Sequence, residues 1–190
     1  MYRVFRKLEH GESLKVASRD ELEPAVKLVH ELGSLWPGKY LIKVSSGVGS
    51  VLERKGSTVW SVTPDHTVYE AIERMADKGV GALLVISAEK LVGIVSERDY
   101  TRRVILNGRS SRATLVNEIM TSPVIFVTPE QTVDECMGIM TRRHIRHLPI
   151  MENGNVLGVV SISDLVKWFA SEQEETIKHL QNYISARYPT

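Results

Sequence analysis

The spacing of apolar positions changes several times along the chain, and each change predicts an element. Val59 to Val62 is a short β-favouring run that closes at Thr63-Pro64, where the proline stops a strand. Thr67 and Glu70 form a capping-box pattern, and Val68, Ala71, Ile72 and Met75 follow at helical spacing until Gly79. Val80 to Ile86 is a nearly continuous apolar run of strand length, Ser87-Ala88-Glu89-Lys90 reverses the chain, and Leu91 to Val95 makes another strand with Gly93 inside it. A helix follows from Glu97. The same order then returns: Val124 to Val127, a helix from Val133 to Arg143, Ile145 to Met151, the turn Glu152-Asn153-Gly154-Asn155, Val156 to Val160, and a helix after Ser161.

Shifting the chain by 65 positions aligns Val59–Asp99 with Val124–Asp164 without a gap, with 13 identities in 41 positions. Chance, at roughly one match in 17, would leave about two or three. The repeated unit is β-α-β-β-α, so the fold class is α/β (α+β). One copy has too little apolar surface to close a core, and the two are expected to pack sheet to sheet about a pseudo-twofold axis. Ahead of them, Tyr2 to Leu8 and Ser13 to Ala17 read as strands around a turn at His10-Gly11-Glu12. Ser18-Arg19-Asp20-Glu21 caps a helix to about Leu32, Trp36-Pro37-Gly38 breaks the chain, and Tyr40 to Val44 is a third strand. The expected organisation is a small β-β-α-β element over 1–46, repeat 1 over 47–112, repeat 2 over 113–170 and a C-terminal helix over 171–190, with Ile177, Leu180 and Ile184 on one face of the last. Ser45 to Ser50 is rich in Gly and Ser and reads as a flexible joint.

Candidate chemistry lies where Gly-apolar-apolar-Ser-x-x-Asp occurs twice, as Gly93 to Asp99 and Gly158 to Asp164. Ser96 and Asp99, or Ser161 and Asp164, can form a helix capping box and nothing more. The same geometry also suits a ligand. Free N–H groups beside a glycine that lets a ligand approach the strand make an anion site, and a carboxylate in the first turn can accept both hydroxyls of a ribose.

With Val-Thr-Pro closing each first strand and Gly-x-x-Ser-x-x-Asp entering each last helix, residues 48–170 resemble a tandem pair of cystathionine-β-synthase (CBS) domains, a Bateman module. Ser-Glu-Arg-Asp-Tyr at 96–100 and Gly-Arg-Ser-Ser at 108–111 look most like stand-alone CBS pairs of bacteria and plant organelles. The resemblance implies regulation through adenosine-containing ligands such as AMP, ADP, ATP, NAD(H) or S-adenosylmethionine, without catalysis. It implies that Asp99 and Asp164 each hold a ribose, that Ser96 and Ser161 lie near the ribose or first phosphate, and that backbone from Trp60 to Val62 and from Ile125 to Val127 edges the adenine. Phosphates would reach the opposite copy, where Arg146 and His147 stand in place of Gly81 and Ala82. The Asp99 cleft is therefore expected to be the better phosphate site, and the Asp164 cleft to accept a longer or uncharged extension such as a nicotinamide half. Arg98, Arg102, Arg103, Arg109 and Arg112 are further phosphate candidates.

Composition narrows the remaining choices. The 24 Lys and Arg against 23 Asp and Glu give a net charge of +1, with no basic field for nucleic acid or anionic lipid. No run approaches the roughly 18 apolar residues of a membrane span, and the start has no apolar leader, so a cytoplasmic protein is expected. Cys136 is the single cysteine and replaces Ala71 on an apolar helix face, which suggests a buried small residue and not a nucleophile. His144 and His147 form His-x-x-His, but in or beside a strand the two rings would point to opposite faces, so metal binding is not expected. Trp168 and Phe169 are packing residues or a dimer contact. Homodimerisation through the CBS helices follows from the resemblance. Three roles stay open: a nucleotide sensor acting on an unknown partner in trans, a thioredoxin-type redox-partner regulator, and a structural dimer without ligand.

Overall fold

The computed structural model describes residues 2–8, 13–19, 21–44 and 47–172. The first element is β1 (Tyr2–Lys7), β2 (Ser13–Arg19), α1 (Leu22–Leu35) and β3 (Lys39–Val44), an antiparallel sheet in the order β2-β1-β3. Among the described residues, Val4 and Ala25 are its fully buried side chains. Helix α1 starts after Glu21, whose side chain makes no cap hydrogen bond, and runs on to Leu35; the side chains of Ser18 to Asp20 lie outside the described residues. The Trp36-Pro37-Gly38 break is held by Arg6, whose guanidinium stacks 3.8 Å from the Trp36 ring and donates to the Pro37 carbonyl at 2.9 Å. The His10 turn, Ser45-Ser46 and the C-terminal helix beyond residue 172 lie outside the described residues.

The repeats follow as α2 (Val48–Lys55), β4 (Ser61–Val62), α3 (Val68–Lys78), β5 (Ala82–Ser87), β6 (Lys90–Ser96) and α4 (Glu97–Arg103), then α5 (Val116–Ile119), α6 (Val133–Arg143), β7 (His147–Glu152), β8 (Asn155–Ser161) and α7 over residues 162–172. The expected capping box of α3 forms, the Glu70 carboxylate accepting from Thr67 N at 2.7 Å, and α6 has its counterpart, Glu135 accepting from Thr132 N at 2.9 Å. Gly79 ends α3 in the left-handed conformation, and His144 takes the same conformation at the end of α6 with φ 54°. The two hairpins turn through positive φ at Ala88 and Glu89 in repeat 1 and at Asn153 and Gly154 in repeat 2.

In repeat 1, β4 lies parallel to β5, which pairs antiparallel with β6. Repeat 2 departs from the expected symmetry. The run Val124 to Val127 is not a strand; only Val127 bridges to Ile150. The cause is Pro149. In repeat 1, Leu84 N donates to the Trp60 carbonyl at 3.1 Å, but Pro149 holds the equivalent position and has no N–H for Ile125.

Each repeat completes its core with the segment that leads into the other. Val48, Val51 and Leu52 of α2 are buried with Val127, Cys136, Met140, Leu148, Ile150, Val160 and Leu165 of repeat 2. Val116 and Ile119 of α5 are buried with Val62, Val68, Ala71, Met75, Leu83, Val85 and Val95 of repeat 1. The first N–H groups of each helix, which have no partner inside it, find one across the molecule. Val48 N and Gly49 N donate to the carbonyls of Gln131 and Pro129, and Val116 N and Asn117 N donate to those of His66 and Pro64. Gly47 and Gly49 are therefore not a flexible joint: a Cβ on Gly47 would sit 2.5 Å from the Pro129 carbonyl oxygen. Leu84 and Pro149, which point away from these cores, are buried as well, so both faces of β5 and β7 are covered.

Leu52→Ala should open a cavity in repeat 2 although the residue precedes repeat 1. A loss of about 2–5 kcal/mol is expected in urea unfolding. The neighbouring exposed Glu53→Ala should change stability by no more than about 0.5 kcal/mol.

Candidate functional site

The doubled motif places two carboxylates at equivalent helix starts. Asp99 Oδ2 accepts from Ser96 N at 3.0 Å and Ser96 Oγ at 2.6 Å, and Asp164 Oδ2 accepts from Ser161 N at 2.8 Å and Ser161 Oγ at 2.9 Å. The capping box is thus real in both copies. It engages one carboxylate oxygen and leaves the other outside the cap; in Asp99 that second oxygen lies 3.7 Å from Arg103 Nε. The motif glycines have a different role from the one expected. A Cβ on Gly93 would meet Met120 Sδ at 2.4 Å and one on Gly158 would meet Leu52 Cδ2 at 2.8 Å. These glycines admit the exchanged lead-in segments, and the space beside them is occupied by protein, not open to a ligand.

Two clefts open beside the carboxylates and toward the facing repeat, and a third cavity, of about 290 Å³, also touches Asp164 and is lined by Val51, Arg54, Lys55, Lys167 and Trp168. The Asp99 cleft, about 330 Å³, is lined from repeat 1 by Ile94, Ser96, Arg98, Asp99 and Arg102, and from the second half by Thr121, Ile125 and the stretch Arg143 to His147. The Asp164 cleft, about 370 Å³, is lined by Ser161, Ser163, Asp164 and Val159, and across it by Lys55, Thr58, Trp60, Gly79 to Ala82, and His147. Most of the positions expected at a site are therefore gathered around these two spaces. Val62 and Val127 are not: both are buried in the cores, and the Val127 N–H and carbonyl are taken by Pro149 and Met151. Three arginines are also engaged elsewhere. Arg103 donates to the carbonyls of Ile119 and Met120, Arg109 pairs with Glu118, and Arg112 stacks on Tyr69.

The clefts differ in charge. The Asp99 cleft sets four guanidinium groups, those of Arg98, Arg102, Arg143 and Arg146, against one carboxylate. Arg98 also reaches across to repeat 2, donating to the His144 carbonyl at 2.7 Å. The Asp164 cleft holds one lysine and one acid, and they are paired: Lys55 Nζ lies 2.9 Å from Asp164 Oδ2. This cleft therefore does not face small residues alone. Burial raises the Asp164 pKa, but Lys55 and the two Ser161 donors outweigh it and hold the carboxyl below its ordinary value. Lys55 and Arg143 were not legible as site residues, because nothing in the repeat alignment ties either to a motif.

His144 and His147 both line the Asp99 cleft, contrary to the opposed rings expected of a strand, because His144 turns the chain in the left-handed conformation before β7 begins. Among the described residues no group of His, Cys, Asp and Glu is suited to a metal. Cys136 is buried, and desolvation with Glu135 nearby pushes its thiol up to about 11. Burial, with help from Arg146, Lys55 and Arg98, pushes His147 down to about 4. It brings a neutral imidazole to the cleft.

His147 binds its proton more weakly in the folded protein than in the unfolded chain. Its contribution is full above the ordinary value of 6.5 and is lost as pH falls toward about 4. At about 1.36 kcal/mol per unit, the loss is on the order of 3 kcal/mol. Urea unfolding between about pH 7 and about pH 4 should show that His147→Gln, which does not titrate, flattens this part of the stability curve.

The comparisons agree with this architecture. The CBS-domain profile matches residues 52–105 and 116–171. The mitochondrial CBS domain-containing protein CBSX3 of Arabidopsis thaliana is 40% identical over 154 residues, which cover 76% of this chain and 74% of that protein. A solved structure of a protein with CBS domains from Burkholderia ambifaria is 47% identical with a TM-score of 0.65, covering 67% of this chain and 96% of that one. The CBS pair of MJ0100, solved in complex with 5′-methylthioadenosine and S-adenosyl-L-methionine, shares the fold at 21% identity and a TM-score of 0.60, covering 68% and 99%. Two repeats with exchanged lead-in segments, each starting its last helix on a Ser-x-x-Asp cap beside a cleft, make this chain a member of the CBS-domain family, with a tandem CBS pair behind a small N-terminal sheet.

Proposed function

We propose that the protein is a regulatory module that binds adenosine-containing ligands in its two clefts and signals their presence to a partner in trans. The carrying observation is the Asp99 cleft, where a carboxylate with one oxygen outside its cap stands beside four arginines. A ligand with a vicinal diol and a phosphate group matches that arrangement: the diol donates to Asp99, and the planar guanidinium donors take the phosphate oxygens. AMP, ADP and ATP have this chemistry, and the adenosine ligands in the MJ0100 pair support the ligand class. Pro149 leaves the Ile125 carbonyl without a β7 donor, so it is available to the exocyclic amine of an adenine in the same cleft. Ser96 would then lie near the ribose or first phosphate.

The Asp164 cleft, with its Lys55 pair and its Gly81 and Ala82 wall, takes the less highly charged ligand or the extended half of NAD(H). Trp60 flanks the base there, and Ser161 the ribose. A bound ligand clamps the repeats in one relative orientation, and the homodimer surface or the N-terminal sheet transmits that state. The role is regulatory and not catalytic. A cytoplasmic location belongs to this reading; the Arabidopsis relative carries a mitochondrial name, and cell fractionation decides between the two.

A thermal-shift panel with AMP, ADP, ATP, NAD, NADH and S-adenosylmethionine tests the proposal. A ligand at 100 times its Kd adds about 2.7 kcal/mol, and the AMP response should be reduced in Asp99→Ala and in Arg146→Ala. An AMP response identical in wild type and Asp99→Ala removes the assignment of that cleft. No response to any adenosine ligand favours the structural dimer or a thioredoxin-type partner. Lys55→Met should strengthen binding of uncharged adenosine at Asp164, because the diol no longer competes with an ammonium; isothermal titration in an Asp99→Ala background reads that site alone.

A further inference from the structure

The two clefts have one side chain in common. His147, the first residue of β7, lines the Asp99 cleft with Ser96 and Arg146 and the Asp164 cleft with Gly81 and Asp164. A methyl group on Gly81 would lie at ordinary contact distance from the His147 ring, 3.5 Å from Cε1 and 3.7 Å from Nε2, with the Glu97 carboxylate nearer at 3.3 Å, so the imidazole lies beside Gly81 of the other repeat at the boundary. The equivalent position in repeat 1 is Ala82, and no second imidazole answers it. The charged groups around His147 come from four directions: Arg146 before β7, Arg98 and Glu97 on α4, Lys55 on α2, and Asp164 on α7.

We propose that His147 is a ligand group of both clefts and couples them, so that an anion bound in one changes the affinity of the other for an anion. The proposal rests on reading the clefts as nucleotide sites. A neutral imidazole has one N–H and one lone pair. Its N–H can serve a phosphate in one cleft only, and its lone pair then faces the other, where a second phosphate is opposed. A proton taken from solvent makes both nitrogens donors and removes that opposition. In the empty protein, burial and three neighbouring cations keep the ring neutral, and an anion arriving on either side favours the charged form. Coupling of this kind is reciprocal: whichever cleft fills first sets the terms for the other.

The test is calorimetric titration of AMP into the full chain, wild type and His147→Gln, at about pH 6 and about pH 8, in paired buffers of different ionisation enthalpy, with adenosine as the uncharged reference. At the lower pH the wild type should take up more protons per AMP than the variant. At the higher pH the second AMP should bind the wild type about fivefold or more weakly, relative to the first, than it binds the variant. Filling of one cleft in the wild type and of both in the variant is the limiting form of that result. Adenosine should show neither effect. Equal proton uptake and equal affinity ratios in the two proteins overturn the proposal, as does filling of a single cleft in both. Should the glutamine variant not fold, the ring C–H resonance of His147 in the wild type decides: its titration midpoint rises on AMP saturation if the coupling is real and stays in place if it is not. Absence of any AMP or adenosine binding to the wild type is a separate outcome, which removes the nucleotide reading and this proposal with it.

Discussion

The exchange of lead-in segments is the constraint on which the rest of the structure depends. Neither repeat contains all of its own core: repeat 2 needs Val48, Val51 and Leu52, and repeat 1 needs Val116 and Ile119. Burying these side chains removes apolar area that one β-α-β-β-α unit has no means to cover. The backbone follows the same logic, since the free N–H groups at the start of each helix are satisfied by carbonyls of the other repeat. The motif glycines are a result of this docking. Each marks the place where a side chain of the exchanged segment presses against the last strand, Leu52 on Gly158 and Met120 on Gly93. With both contacts made, the two carboxylates and their clefts have fixed positions.

On that symmetric frame the side chains differ. Both Ser-x-x-Asp boxes serve the helix and leave one carboxylate oxygen outside the cap, so the structural role and the ligand role of the aspartate are compatible and not alternatives. What separates the two sites is the surrounding charge. Four arginines line the cleft of Asp99, whereas Asp164 is already paired with Lys55. Duplication supplied two equal frames, and substitutions at the facing positions, Gly81 against Arg146 and Ala82 against His147, made them chemically unequal.

Much of the fold was legible because capping boxes and strand-length apolar runs are local signals. Thr67 with Glu70, and Thr132 with Glu135, mark α3 and α6 in the sequence as they do in space. Asn153-Gly154 announces a tight hairpin in the ordinary way, but Ala88-Glu89 builds the same positive-φ turn without the usual residues. The losses are non-local. Helix α2 is masked in the sequence by a Gly/Ser-rich stretch that reads as a joint, and nothing in Val48, Val51 and Leu52 says which repeat covers them. Pro149 breaks a bridge to a strand some twenty residues away, and His144 adopts a conformation better suited to glycine. At the site, the doubled motif led to the aspartates and the resemblance to Arg146. Lys55 reaches its cleft only because α2 crosses to the other repeat.

That crossing also sets an order of events during synthesis. Helix α2 leaves the ribosome early, yet the last part of the core that shelters it, Leu165, is made roughly a hundred residues later. At about 5–20 residues per second, the apolar face of α2 waits on the order of ten seconds for its proper cover. Repeat 1 is better placed, since α5 follows it directly and closes its core as soon as Ile119 emerges. The nascent chain therefore carries an unsheltered apolar helix face while the residues up to Leu165 are made, a stretch of synthesis in which that face is open to aggregation and to chaperones.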